Sequence, residues 1–234
     1  MYPRREKAFL RGMRAGAPFL LVIGPFALLF GVVGTEAGLN LTQVMGFSFL
    51  VVAGASQFAA LQLLADNAPT LIVLATALAV NLRLAMYSAS LAPWLGEAPF
   101  WKRALAAYAL VDQAYAVSIL EYERRPQLPI SERLSYFFGS FAILAPFWYL
   151  LTLIGAIGGA AIPPEFALDF AVPITFLALF APALRTLAHL AAALTSILVA
   201  LLLAGLPYST GLLVAAALAM AVGSLVEVLV ERRR

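Results

Sequence analysis

The chain alternates between long apolar runs and short polar connectors, and a run of about twenty apolar residues is what a helix needs to cross a bilayer. Eight such segments stand out, near residues 16–37, 42–65, 69–92, 103–120, 135–160, 166–184, 186–204 and 208–230. The connectors carry turn formers: Gly38-Leu39-Asn40, Asp66 to Pro69, Pro93 to Pro99, Pro163-Pro164 and Gly205 to Pro207. The pattern predicts an all-α polytopic membrane protein, with some segments re-entrant or broken. Four of the segments are interrupted by polar strings: Gly54-Ala55-Ser56-Gln57, Asn81-Leu82-Arg83, Asp112-Gln113 and Asp169.

A second pattern divides the chain. Pro25-Phe26, Leu29, Gly34 and Gly38 recur with identical spacing as Pro146-Phe147, Leu150, Gly155 and Gly159. An internal duplication is therefore expected within the single transmembrane domain, residues 1–234. Its halves would be residues 1–120 and 134–234, joined by the polar loop 121–133. Repeats in parallel and in inverted orientation are both compatible with this spacing.

Composition agrees with the pattern. The chain is 63% hydrophobic and only 12% charged, against about 45–50% and 25% in soluble domains. There is no cysteine and one histidine, His189, which excludes thiolate chemistry and multi-histidine metal sites. No cofactor and no metal are expected. A net charge of +3 calls for no nucleic-acid partner. The basic residues gather at Arg4 to Arg14, at Arg124, Arg125 and Arg133, and at Arg232 to Arg234, a topological distribution. Eight spans with both termini in the cytoplasm satisfy it, except that Lys102 and Arg103 would fall outside. The apolar run from Ala15 to Val33 exceeds the usual signal-peptide core of about 7–15 residues and reads as a retained first span.

The polar strings are the candidate chemistry. An arginine near a helix centre costs roughly 2.5–3.5 kcal/mol on insertion scales, so Arg83 needs a polar partner or a watered cavity. Its guanidinium can grip a carboxylate through two parallel hydrogen bonds. Asn81 is two residues away and off its helix face. Gly54 lets a neighbour approach, while Ser56 and Gln57 bring hydrogen-bonding groups. The bland alternatives are an arginine snorkelling to the boundary and a packing notch with cross-helix bonds. Asp112 is either an ion-pair partner for Arg83 or a group that takes up and releases a proton. Asp169, four residues before Pro173, is a second such carboxylate or a first-turn acid. Glu36, Asp66 and Glu97 read as boundary residues, His189 as a packing group, and the glycine pairs Gly34/Gly38 and Gly155/Gly159 as close helix crossings.

With these residues in hand, the chain resembles the AzlC/YgaZ family of bacterial branched-chain amino-acid exporters. The resemblance rests on the Gly-rich first span, on FLVVAGASQFAA, residues 49–60, on VNLRLAMYSASLAP, residues 80–93, on Asp112 and on LDFAVPITFLALFAP, residues 168–182. It implies a transporter subunit of the bacterial inner membrane, not an enzyme, working with a small hydrophobic membrane subunit of the AzlD/YgaH type. The implied substrates are valine, leucine, isoleucine and methionine. The chain has no phosphate-binding Walker loop, so proton-coupled secondary export is expected, with Gly54, Ser56, Gln57, Asn81 and Arg83 binding substrate and Asp112 and Asp169 coupling protons. Gln113 stands where the family leads one to expect an acid. The rival class is a non-transporting membrane scaffold whose polar residues only pair helices.

Overall fold

The computed structural model describes residues 3–159, 184–206 and 210–232. Everything described is helical, turn or irregular, with no strand among the described residues. The segment 166–184, with Asp169 and Pro173, lies almost wholly outside them.

Two compact units form. One contains residues 1–57 and 80–164, the other residues 58–79 and 165–234. The first unit is built on two long helical rods. One rod is α1 (Pro3–Gly16), a 3₁₀ turn at Ala17–Phe19, and α2 (Leu20–Glu36). The other rod is α8 (Ile130–Gly159). Between them in sequence come α3 (Leu41–Leu50), α4 (Gly54–Ala65), α5 (Thr70–Leu95), α6 (Phe100–Tyr108) and α7 (Asp112–Arg124). The unit boundary passes through α4 and α5.

The rods pack in parallel. Gly12 meets Tyr136, Gly16 meets Ser140, Gly31 meets Thr152 and Gly155 meets Leu28, all at backbone contact. Helices in lipid gain little from burying apolar side chains, so close backbone approach at small residues supplies the attraction. The glycine pairs read from sequence divide here. Gly155 and Gly159 do face α2, but Gly34 receives Val44 of α3. Gly38 ends the α2 turn at φ +84° with open space around it.

Two predicted spans are broken. The 42–65 segment is α3, three non-helical residues, and α4. The chain enters α3 through a capping box: the Asn40 side chain accepts from the Gln43 amide, and the Gln43 side chain accepts from the Asn40 amide, each at 2.9 Å. The 103–120 segment is α6, residues 109–111, and α7. This second pair is a re-entrant hairpin. Arg133 Nη1 donates to the Trp94 carbonyl at 3.0 Å, and the Trp94 and Tyr122 rings lie 5.9 Å apart. The ends of α5 and α7 and the start of α8 therefore share one end of the unit, the basic end. The α6 helix starts there, five residues after α5 stops, and its far end reaches Tyr149 of α8. The chain then returns through α7.

This corrects the sequence-based topology. Lys102 and Arg103 lie at the same end as Arg124, Arg125 and Arg133, because the hairpin between them does not cross.

The second unit contains α9 (Leu187–Leu202) and α10 (Thr210–Glu231), an antiparallel pair in which Gly223 faces Ala192. Thr186 caps α9 by accepting the His189 amide at 3.2 Å.

Among the described residues, four helices, at 5–36, 70–95, 130–159 and 210–230, are long and apolar enough to cross a membrane.

Gly155→Val puts branched carbons against the Leu28 carbonyl, an overpacking expected to cost roughly 1–3 kcal/mol. Gly158, with nothing within 4 Å, should accept alanine without loss. Thermal unfolding of both variants in detergent checks the difference; equal midpoints would remove the glycine seam from the account.

Candidate functional site

The two breaks meet inside the first unit. Tyr108, at the end of α6, donates its hydroxyl to the Phe49 carbonyl at 2.8 Å, near the end of α3. The same hydroxyl lies 3.2 Å from the Tyr149 hydroxyl, whose ring packs on Phe49 at 4.3 Å. Gly54 opens α4 against Phe26 and Trp148, where a Cβ would lie 2.9 and 3.0 Å from the two rings. Val111, just before α7, packs on the cluster of Ile23, Ala27, Leu144 and Trp148. Both breaks are thus seated on one aromatic floor supplied by the parallel rods.

The Gly-Ala-Ser-Gln string forms the first turn of α4. Ser56 Oγ donates back to the Ala53 carbonyl at 2.9 Å. Gln57 Nε2 reaches Ser48 Oγ of α3 at 3.4 Å, and all three side chains are buried. Gln57 Oε1 is buried without a hydrogen-bond partner. The structure therefore shows packing and loop-shaping contacts for Gly54 and Ser56, and one unused acceptor on Gln57.

Arg83 and Asp112 come together. Arg83 Nη1 is 3.0 Å from Asp112 Oδ2. Asp112 is the first residue of α7, where the free backbone amides of a helix start attract negative charge. The carboxylate thus sits between a guanidinium and a helix N-terminus. The ion pair begins a ladder between α5 and α7. Tyr87, one turn beyond Arg83, faces Asp112 and stacks on Tyr115 with ring centroids 4.1 Å apart and planes at 8°. Tyr115 donates to Ser90 Oγ at 3.1 Å. Residues 83, 87, 90 and 94 recur at helical spacing along one face of α5. The α5 helix is continuous, so Asn81 points off this face, and its Oδ1 is buried without a partner.

Three more atoms complete the inventory. Arg83 Nε and Asp112 Oδ1 are also buried and unpartnered, as is Trp148 Nε1. Each partner of the ion pair thus keeps one polar atom unused, as do Arg11 and Glu121 of the ion pair between α1 and α7.

A model of the AzlC protein family matches residues 18–162. That stretch is more than half of the chain and holds both breaks, the ion pair and the aromatic ladder. The chain belongs to the AzlC family. The inner membrane protein YgaZ of Escherichia coli K12 is 28% identical over 177 residues, covering 72% of this chain and 70% of YgaZ. A membrane protein of Archaeoglobus fulgidus, described as uncharacterized, is 30% identical over 220 residues, 92% of this chain and 93% of that one. No solved structure matches. The chain is therefore a membrane protein of the AzlC family. Asp169 lies outside both the family match and the described residues.

The sequence reading missed Tyr87, Ser90, Tyr108, Tyr115 and Tyr149. A usable signal was present for two of them. Tyr87 follows Arg83 by four residues and Tyr115 follows Asp112 by three, so each shares a helix face with its charged neighbour.

Replacing Arg83 or Asp112 singly by alanine strands the other charge, whereas the double replacement does not. A double-mutant cycle on unfolding in detergent should give a coupling of roughly 1–3 kcal/mol. Additive effects would show that the two charges do not interact.

Proposed function

We propose that this chain is the transporting subunit of an exporter of branched-chain amino acids, namely valine, leucine, isoleucine and methionine, driven by proton exchange. Family membership supports the class of substrate. The observation that carries the mechanism is the Arg83–Asp112 ion pair at the meeting point of two broken helices, with unused polar atoms on both partners.

A zwitterionic amino acid is the complement of an ion pair. Its carboxylate takes the guanidinium of Arg83, which offers a planar fork with Nε free. Its ammonium takes Asp112, with Gln57 as a further acceptor. Binding therefore opens the salt bridge and replaces both halves of it, so neither charge is left stranded. Gly54 and Ser56 shape the break that lets the substrate approach.

Proton coupling follows from competition. A proton on Asp112 removes the charge that holds the ammonium, so proton and substrate occupy the site in turn. Mutually exclusive binding is the requirement for exchange, and under an inward proton gradient it drives the substrate outward. Asp169 is a second proton carrier in this scheme.

Asp112→Asn keeps size and much of the hydrogen bonding but cannot release a proton. In liposomes under an imposed pH gradient, wild type should accumulate labelled leucine at least tenfold more than the variant, a loss of about 1.4 kcal/mol in driving force. Because the neutral amide mimics the protonated acid, the variant should also bind leucine more weakly, with slower exchange at equal pH. Accumulation at the wild-type level by Asp112→Asn would make the carboxylate structural.

We further infer a small hydrophobic membrane subunit of the AzlD/YgaH type as partner, on family resemblance. Cells carrying both subunits should export leucine several-fold faster than cells carrying this chain alone. Full export by the single purified chain in liposomes would refute the requirement.

A further inference from the structure

The face of α6 that the exchange mechanism does not use carries a second feature. A groove of about 420 Å³ runs between α5 and α6. Its floor is apolar: Leu91, Leu95, Ala106, Leu110 and Phe137 line it and are buried. Its mouth is at the basic end, where Phe100 and Arg103 line it. Its inner end is Leu110, within the break between α6 and α7. From Gly96 to Ser88 the groove follows α5 for eight residues, or about 12 Å at the helical rise.

Arg103 at the mouth, and Lys102 beside it in the chain, carry charge without a counter-charge. Among the described residues no acidic side chain comes within ion-pairing distance of Lys102 or Arg103. Lys102 instead lies over the Trp101 ring, 5.2 Å from its centre. Phe100 and Trp101 are exposed, as aromatic side chains are at the level of lipid headgroups. Two free cations, an interfacial aromatic pair and an apolar groove descending from them match one chemistry: a negative headgroup attached to a hydrocarbon chain.

We propose that this groove binds an anionic phospholipid. The headgroup phosphate sits on Lys102 and Arg103, and one acyl chain lies along Leu91, Leu95 and Phe137 down to Leu110. The occupant has a structural consequence. Residues 109–111 lie between the two helices; the Ala109 and Leu110 amides still bond to the end of α6 and the Val111 carbonyl to Tyr115, and the rest of this backbone must be shielded from bulk lipid. A bound chain seals the groove against the back of the break.

The test is lipid retention by the purified full chain, read by native mass spectrometry, and it does not depend on transport. Wild type should retain phosphatidylglycerol over phosphatidylcholine with the same chains. The deacylated headgroup, glycerophosphoglycerol, should not be retained. The Lys102→Gln, Arg103→Gln double variant should lose the preference about tenfold, the order expected for two cations near an anionic lipid. Ala107→Phe fills the groove, leaves both cations in place, and should lose phosphatidylglycerol as well. An unchanged preference in the double variant overturns the proposal. Full retention by Ala107→Phe also does, because the cations would then act as a bulk surface charge. Displacement of the lipid by a co-expressed membrane subunit would reassign the groove to a protein interface. The headgroup and deacylation comparisons use wild type alone, so a variant that fails to fold leaves the question decidable.

Discussion

A helix that stops inside a membrane exposes amide and carbonyl groups that lipid cannot satisfy, each at a cost of several kcal/mol. The first unit is arranged around that constraint. Two helices stop, at Leu50 and at Tyr108, and each stop helps to satisfy the other. The Tyr108 hydroxyl caps a carbonyl of α3, while Tyr149 of α8 holds the same hydroxyl. The parallel rods make this possible because their glycine contacts bring Phe26 and Trp148 into the same layer as both breaks. Loosening the seam would take the floor away from the breaks.

The ion pair gains from the same arrangement. The side chains of Arg83 and Asp112 are 26% and 39% exposed, and an ion pair that solvent reaches adds little to stability. Arg83–Asp112 is therefore weak support for stability as such. The carboxylate also lies at the positive end of α7, a placement that exists only because the helix restarts at Asp112. A continuous helix through 103–120 would leave those amides in the ladder and the aspartate facing a spent backbone. The break supplies the site with its geometry, and the paired aromatic rings of Tyr87 and Tyr115 fix the spacing of the two helices beside it.

How much of this was legible follows from what each signal measures. Hydropathy placed the apolar segments well, since 16–37, 69–92, 135–160, 186–204 and 208–230 each contain a helix. It counts apolar residues and is blind to where a helix stops. Val51-Val52-Ala53 and Ala109-Leu110-Val111 are as apolar as their flanks, so both breaks are silent in composition. The pairing of Arg83 with Asp112 was readable as an option, because each charge needs a partner. That Tyr87, Tyr115 and Ser90 continue it was not, since contacts between α5 and α7 depend on their parallel run. Asn81 is adjacent to Arg83 in sequence yet turned away by an unbroken helix, so proximity along the chain overstated their partnership.

One sequence signal did point to the hairpin, an arrangement the sequence left open beside a full span. The 103–120 segment is basic at both flanks, with Lys102 and Arg103 before it and Arg124 and Arg125 after it. Treated as a span, it places positive charge on both sides of the membrane, against the usual asymmetry. Treated as a re-entrant hairpin, it places all four at one end, and the anomaly disappears. The positive-inside rule counts where loops lie, and it therefore tests whether a segment crosses as well as which way it runs. The short helices agree. At 9 and 13 residues, α6 and α7 rise about 13 and 20 Å, each short of the roughly 30 Å of a bilayer core. Neither crosses alone, and a pair of that reach ends at mid-depth, where Asp112 meets Arg83.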